Sequence, residues 1–222
     1  MIRARWSVQP AMARRPPPPP PLPLVGEGWR PSRRACLQLA AASLALSWTP
    51  RARAEDVPVP IGLQVDLLAK VAGYDKNLPA RAGDRVRVLV VSRTGNDDAT
   101  RAAAQLERAL ADKTTIAGLP TEVATVPWSD APSMAKACRA RRASIVYFTP
   151  GLSEADATAV ARAFDGVDVL SVAAMPTVVP RGIVLGFDLV GGKPKLLVHL
   201  GQARRQNVAL GAEVLKLMRV YE

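Results

Sequence analysis

Histidine and cysteine are nearly absent from this chain of 222 residues, which has one histidine, His199, and two cysteines, Cys36 and Cys138. One histidine cannot make a zinc site, and no cysteine or carboxylate stands at ligand spacing around it. Cys138 is alone after residue 54, so an internal disulfide is excluded there, and we interpret it as a small buried residue. The sequence therefore predicts no metal, no cofactor and no catalytic residue.

Motifs for phosphate binding and nucleophilic catalysis are missing as well. The chain has no Gly-x-Gly-x-x-Gly, no Walker sequence and no Gly-x-Ser-x-Gly elbow. His199 lies in the apolar run Leu196–Leu200, which predicts a strand. In such a strand the histidine is either hydrogen-bonded internally or exposed at a sheet edge. We therefore expect a protein that is not an enzyme.

Positive charge is distributed unevenly along the chain. The whole sequence has 30 Lys and Arg against 19 Asp and Glu, a net charge of +11. Nine of these basic residues but only one acidic residue precede Glu55, which leaves 21 and 18 after it and a net charge of about +3. The basicity of the whole chain therefore gives no reason to expect a nucleic-acid partner.

Residues 1–54 have the organisation of a bacterial export leader. Arg33 and Arg34 end a basic segment, and the apolar stretch 37–48 that follows is too short to span a bilayer. Ala52-Arg53-Ala54 then supplies a small-x-small site, which predicts cleavage after Ala54. We expect a periplasmic or otherwise exported protein without stable membrane insertion after cleavage.

The route of export has two readings. The run Ser32–Gln38 resembles a twin-arginine signal, which would deliver the domain already folded. Cys36 stands where that signal usually has Phe, so the general secretion pathway remains the alternative.

After the leader, residues 55–222 predict a single domain in which strands and helices alternate. Strands are predicted at 85–92, 121–126, 144–148 and 167–172, and helices at 62–72, 100–111, 132–141 and 153–164. Such alternation is typical of the α/β class, here three layers with a mostly parallel sheet flanked by helices. Strands 182–190 and 195–200 predict a C-terminal antiparallel hairpin, and a final helix is predicted over Ala203–Val220.

Three loops are expected at the carboxyl edge of the parallel strands, where open α/β sheets tend to bind ligands. They span Ser92–Asp98, Thr149–Ser153 and Ala174–Pro176. Their polar side chains form a candidate ligand rim: Arg93, Thr94, Asn96, Thr149 and Ser153. The alternative is that these residues serve only as turn and helix-cap groups.

Two other surfaces, each with two named residues, are candidates for contact with a partner protein. Gln64 and Lys70 are expected on the exposed face of the first helix. Arg204 and Arg205 are predicted at the start of the final helix, where positive charge is unfavourable and needs another explanation.

Several local strings resemble the YfiR-like family of bacterial periplasmic proteins. They are Tyr74–Leu78, the strand Val86–Val91, and the ending formed by Arg181–Leu189, Lys195–Leu200 and Ala203–Val208. The resemblance implies a periplasmic repressor that holds an inner-membrane diguanylate cyclase inactive, with no catalytic residues. His199 stands where relatives often have Asn.

Two functions are consistent with these features. The first is an exported regulatory protein that acts through contacts with an inner-membrane signalling partner such as a diguanylate cyclase. The alternative is a periplasmic protein that binds a small ligand at the rim.

Overall fold

The computed structural model describes residues 59–222, and the predicted leader and its cleavage site lie outside the described residues. Eight strands form one sheet: β1 (Val86–Ser92), β2 (Thr115–Ile116), β3 (Leu119–Pro127), β4 (Ile145–Phe148), β5 (Leu170–Ala173), β6 (Leu185–Val190), β7 (Lys193–His199) and β8 (Met218–Tyr221). The α-helices are α1 (Ile61–Ala72), α2 (Leu78–Ala82), α3 (Asp97–Asp112), α4 (Ala131–Arg141), α5 (Glu154–Ala163), α6 (Leu200–Arg205) and α7 (Ala212–Leu215). A 3₁₀ helix spans Pro176–Arg181.

The sheet is mostly parallel, as the alternation of strands and helices predicts. Its order is β2-β3-β1-β4-β5-β6-β7-β8, and the pairs from β3 through β6 are parallel. Strands β6 and β7 form the predicted antiparallel hairpin. The chain runs from β1 outward to β3 and then returns to the other side of β1 at β4, so the winding direction reverses between β1 and β4.

Two hydrophobic clusters, one on each face of the sheet, make the three predicted layers. On β1, Val88 and Val90 face a cluster that contains Leu68 of α1 and Leu106 of α3. Leu89 and Val91, the alternate residues of the same strand, belong to a second cluster with residues of α4 and α5. Because the central strands are buried on both faces, they read as continuous apolar runs.

The predicted final helix over Ala203–Val220 is wrong. Helix α6 ends at Arg205, because Asn207 adopts the left-handed conformation (φ 53°), which a continuing helix does not allow. The chain then turns back against the segment after α1, where the Lys76 amide donates to Ala209 O at 3.0 Å. The remaining residues form the short helix α7 and the edge strand β8, which pairs in parallel with β7.

A buried ion pair holds this returning segment in place. Asp75 and Arg81 pair with side chains that are 0% and 2% exposed. The second carboxylate oxygen of Asp75 accepts the Ala209 amide at 2.9 Å and the Asn77 amide at 3.1 Å. A buried charge is tolerated only when its hydrogen-bonding capacity is used, and this carboxylate is bonded through both oxygens.

The guanidinium of Arg81 extends the network to the sheet. Its Nε donates to Ser144 O, next to β4, at 3.1 Å, and Nη1 donates to Asn207 O at 3.3 Å. Asn77 reaches the same residue, donating to the side-chain oxygen of Asn207 at 2.8 Å. The string Tyr74–Leu78 and the string Ala203–Val208 therefore meet here, although about 130 residues separate them.

Replacing Asp75 by Asn should destabilise the domain strongly, because the buried Arg81 would keep only its longer contact, at 3.4 Å, with the half-exposed Asp168. We expect a loss of about 3–5 kcal/mol in the free energy of unfolding, measured by urea denaturation. Asp84→Asn is the matched control, since Asp84 pairs with Arg85 and Arg87 at the surface and should change stability little. Equal losses in both variants would contradict a special role of the buried pair.

Candidate functional site

The reversal of winding between β1 and β4 brings the predicted rim loops together. The loop after β1 carries Arg93, Thr94 and Asn96, and the loop after β4 carries Thr149 and Ser153. Such a reversal creates the crevice in which doubly wound sheets usually bind ligands.

Most rim side chains are occupied by structural hydrogen bonds. Asn96 caps α3 by accepting the Ala99 amide at 2.9 Å, and Ser153 caps α5 by accepting the Asp156 amide at 3.1 Å. Thr149 is buried, and its hydroxyl donates to Val91 O at 3.1 Å. Thr94 is exposed at the turn.

Arg93 is paired across the crevice with a residue that the sequence did not single out. Its Nη2 lies 2.5 Å from a carboxylate oxygen of Asp156, the acidic member of the α5 capping box. The two loops approach closely at Gly151 (φ +102°), where an added Cβ would stand 2.9 Å from the Asn96 side chain. The space between Arg93, Phe148 and Thr149 is only about 10 Å³, the size of one water.

A larger cleft opens at the same sheet edge on the α1 and α3 side. Its volume is about 450 Å³, and its lining is mostly apolar. The residues that give it polar or deformable character are Gln64, Asp98, Arg101, Gln105 and Met175. A mostly apolar concavity with a few polar groups is the usual form of a small-molecule site. All three predicted rim loops contribute to this cleft, through Asp98, Pro150 and the pair Ala174 and Met175. The contribution of α1 had no local signal in the sequence, because it depends on how α1 packs beside α3.

Gln64 is not an exposed contact residue, and that prediction is wrong. Its side chain is 0% exposed and lies between α1 and β4. Gln64 Nε2 donates to Val59 O at 2.7 Å, and Gln64 Oε1 accepts the Tyr147 hydroxyl. Its polarity suggested the outer face, although Gln64 lies four residues before Leu68 and seven before Val71 and so shares their buried face. There it satisfies the Tyr147 hydroxyl and a backbone carbonyl.

Lys70, Arg204 and Arg205 are exposed, as predicted. The two arginines nevertheless stand at the C-terminal end of α6 and not at the start of a helix, so the earlier argument about unfavourable charge is wrong. Positive charge at a helix C-terminus is favourable.

His199 ends β7 and begins α6. Its Nδ1 accepts the Gln202 amide at 3.2 Å, which makes this histidine the N-cap of the short helix. Burial lowers the pKa of His199, and the nearby charge of Arg205 lowers it further. An imidazole that accepts a backbone proton must be neutral, so both the cap and these effects favour the neutral form.

Cys138 is buried on α4, as expected from its isolation in the sequence. Burial raises the pKa of this thiol to about 12, so the thiolate is not populated at neutral pH. Within residues 59–222, no group of three or more His, Cys, Asp or Glu is placed to hold a metal ion. Over the same residues, no helix combines the length and apolarity needed to cross a bilayer.

The fold defines the protein as a doubly wound α/β domain with an antiparallel hairpin at its C-terminal side. The profile of the DUF4154 family, described as YfiR/HmsC-like, matches residues 63–219. The chain belongs to this family.

Other comparisons add little. No curated protein matches the chain significantly. One solved structure that matches is "The ligand-free, open structure of CD0873, a substrate binding protein with adhesive properties from Clostridium difficile". It has 9% identity and a TM-score of 0.46, and the match covers 66% of this chain and 58% of that one, which is less than two thirds of its length. A TM-score below 0.5 supports no inference about function.

Acidification should lower the stability of the folded domain, because protonation of His199 is disfavoured in the folded state. Because its folded pKa lies below the unfolded value, stability is fully present above about pH 6.5 and is lost as the pH falls through the folded pKa. Melting temperatures between about pH 7.5 and about pH 5.5 measure this loss. His199→Asn keeps a cap acceptor but does not titrate, so its melting temperature should fall less than that of the wild type. Parallel pH profiles would contradict this role.

Proposed function

We propose that this protein is an exported regulator that acts through contacts with an inner-membrane signalling protein, of the diguanylate cyclase kind. The observation that carries the proposal is the family match over residues 63–219. The YfiR-like family is known for periplasmic regulators of diguanylate cyclase signalling. The buried thiol and the capping role of His199 support it too, because neither group is presented as a nucleophile or base.

The C-terminal end of α1 is the surface that best fits such a contact. Lys70 is exposed on its last turn, and Tyr74 follows with 48% of its surface exposed. The backbone of Tyr74 is fixed, because its carbonyl accepts the Gly211 amide at 3.1 Å. Exposed tyrosines are enriched among the residues that dominate protein interfaces. With Gln64 buried, this end of α1 replaces the predicted contact face.

A pull-down from envelope extract should recover an inner-membrane signalling protein. We expect capture to fall at least about tenfold with Lys70→Glu combined with Tyr74→Ala, because an aromatic anchor and a charge are lost. Arg108→Glu on the exposed face of α3 is the matched control and should capture normally. Mass spectrometry of the eluates measures both. Recovery of no envelope protein, or equal loss in the control, would contradict the proposal.

The second candidate function is binding of a small ligand, which the cleft of about 450 Å³ favours. Arg93 at the neighbouring rim adds a buried Nε that has no hydrogen-bond partner among the described residues. A ligand of mainly apolar surface with one polar end suits this combination.

A bound metabolite should raise the melting temperature of the protein by mass action. We expect Gln105→Trp to abolish this shift in melting temperature, because the larger side chain fills the mouth of the cleft. Arg93→Gln should reduce the shift only if the ligand reaches the rim. Differential scanning fluorimetry against fractionated envelope metabolites measures it, with Arg108→Trp on the same helix as control. A shift that survives Gln105→Trp would place the ligand elsewhere.

A further inference from the structure

Helix C-termini meet at the amino edge of the parallel strands, and arginine is concentrated there. Five exposed arginines end α4 and α6; we call them the arginine face: Arg139, Arg141, Arg142, Arg204 and Arg205. Across residues 59–222, no carboxylate lies within 4.0 Å of their charged nitrogens. Their charge is therefore available to a partner.

A chain of contacts links the two groups of arginines through Asp168 and Asn207, whereas Arg141 lines a separate recess with Arg87 and Glu122. Arg139 and Arg142 line a recess of about 240 Å³ together with Asp168. A carboxylate oxygen of Asp168 accepts the Asn207 side-chain amide at 3.2 Å, and the Asn207 backbone amide donates to Arg204 O at 3.2 Å. Asp168 shares the buried Arg81 with Asp75, so one carboxylate charge in the recess faces the two guanidinium groups of Arg139 and Arg142.

Stabilisation of helix ends does not account for this number of arginines. The C-terminal half-charge of a helix is about −0.5 and acts only within the last turn. Helix α4 ends with three arginines, and α6, which has only six residues, ends with two. Five positive charges exceed what two helix ends of about −0.5 each can offset, and no ion pair within residues 59–222 includes any of the five.

We propose that the arginine face binds the phosphate groups of anionic phospholipids at a membrane surface. Guanidinium groups bind phosphate oxygens bidentately, and the recess of about 240 Å³ admits one phosphodiester beside Arg139 and Arg142. The four large apolar residues exposed in the described chain are Tyr74, Val190, Leu217 and Val220, and none belongs to this face. Protein interfaces usually need such anchors, whereas a charged lipid surface does not.

This binding goes beyond the proposed function, because it needs no protein partner. It would keep the regulator at the membrane by adsorption, without insertion. Attraction to an anionic leaflet acts over about one Debye length, so it also turns the arginine edge of the sheet towards the bilayer.

Flotation with lipid vesicles tests the proposal on protein purified after expression of the full chain. The vesicles contain about 30% phosphatidylglycerol in phosphatidylcholine, and pure phosphatidylcholine is the reference. Binding should occur only with phosphatidylglycerol and should decrease at least about tenfold between about 50 mM and about 500 mM salt. The vesicles hold no protein, so this result is independent of the partner proposal.

Paired substitutions assign the binding to the face. Arg139→Gln with Arg141→Gln, and separately Arg204→Gln with Arg205→Gln, should each weaken binding more than about tenfold at unchanged melting temperature. Arg108→Gln with Lys193→Gln removes two exposed charges elsewhere and should bind as the wild type does. Absence of binding at low salt, equal losses in the control, or binding of an acidic protein without binding of vesicles would overturn the proposal.

Discussion

The buried pair of Asp75 and Arg81 is the interaction on which the rest of the domain depends. It joins the segment after α1, the start of β4 and the returning segment at residues 207–209 through one guanidinium and one carboxylate. Neither group can be removed without leaving the other buried and charged. The hydrophobic clusters supply most of the stabilisation. The Asp75–Arg81 pair holds the segment after α1 against residues 207–209.

The sequence predicts the layered α/β class because periodicity is a local property. Within β1, the four residues Val88–Val91 are all apolar and buried, as the centre of a strand covered on both faces must be. The prediction of a final helix is wrong for a complementary reason: Val208, Ala212 and Leu215, at i, i+4 and i+7, also fit helical spacing. What breaks the helix is the left-handed Asn207, and its conformation is stabilised by Asn77, which no local window contains.

The position of the candidate site could be predicted from the sequence, but the hydrogen-bond and ion-pair partners of its side chains could not. The rim residues do gather where the winding reverses, because that follows from strand order. The partners of Arg93 and Gln64 are Asp156 and Tyr147, which lie 63 and 83 residues further along the chain, so no local pattern reveals these contacts. Polarity alone assigns Gln64 outward, whereas its spacing from Leu68 and Val71 and the buried hydroxyl of Tyr147 place it inward.

The contacts of residues 207–211 also determine when the domain can finish folding during synthesis. Helices α1 and α2 are made first, yet their polar contacts lie on residues 207–211. Contacts of such high sequence separation form late and slowly. The nascent domain thus stays open along this seam until almost all of residues 59–222 have left the ribosome.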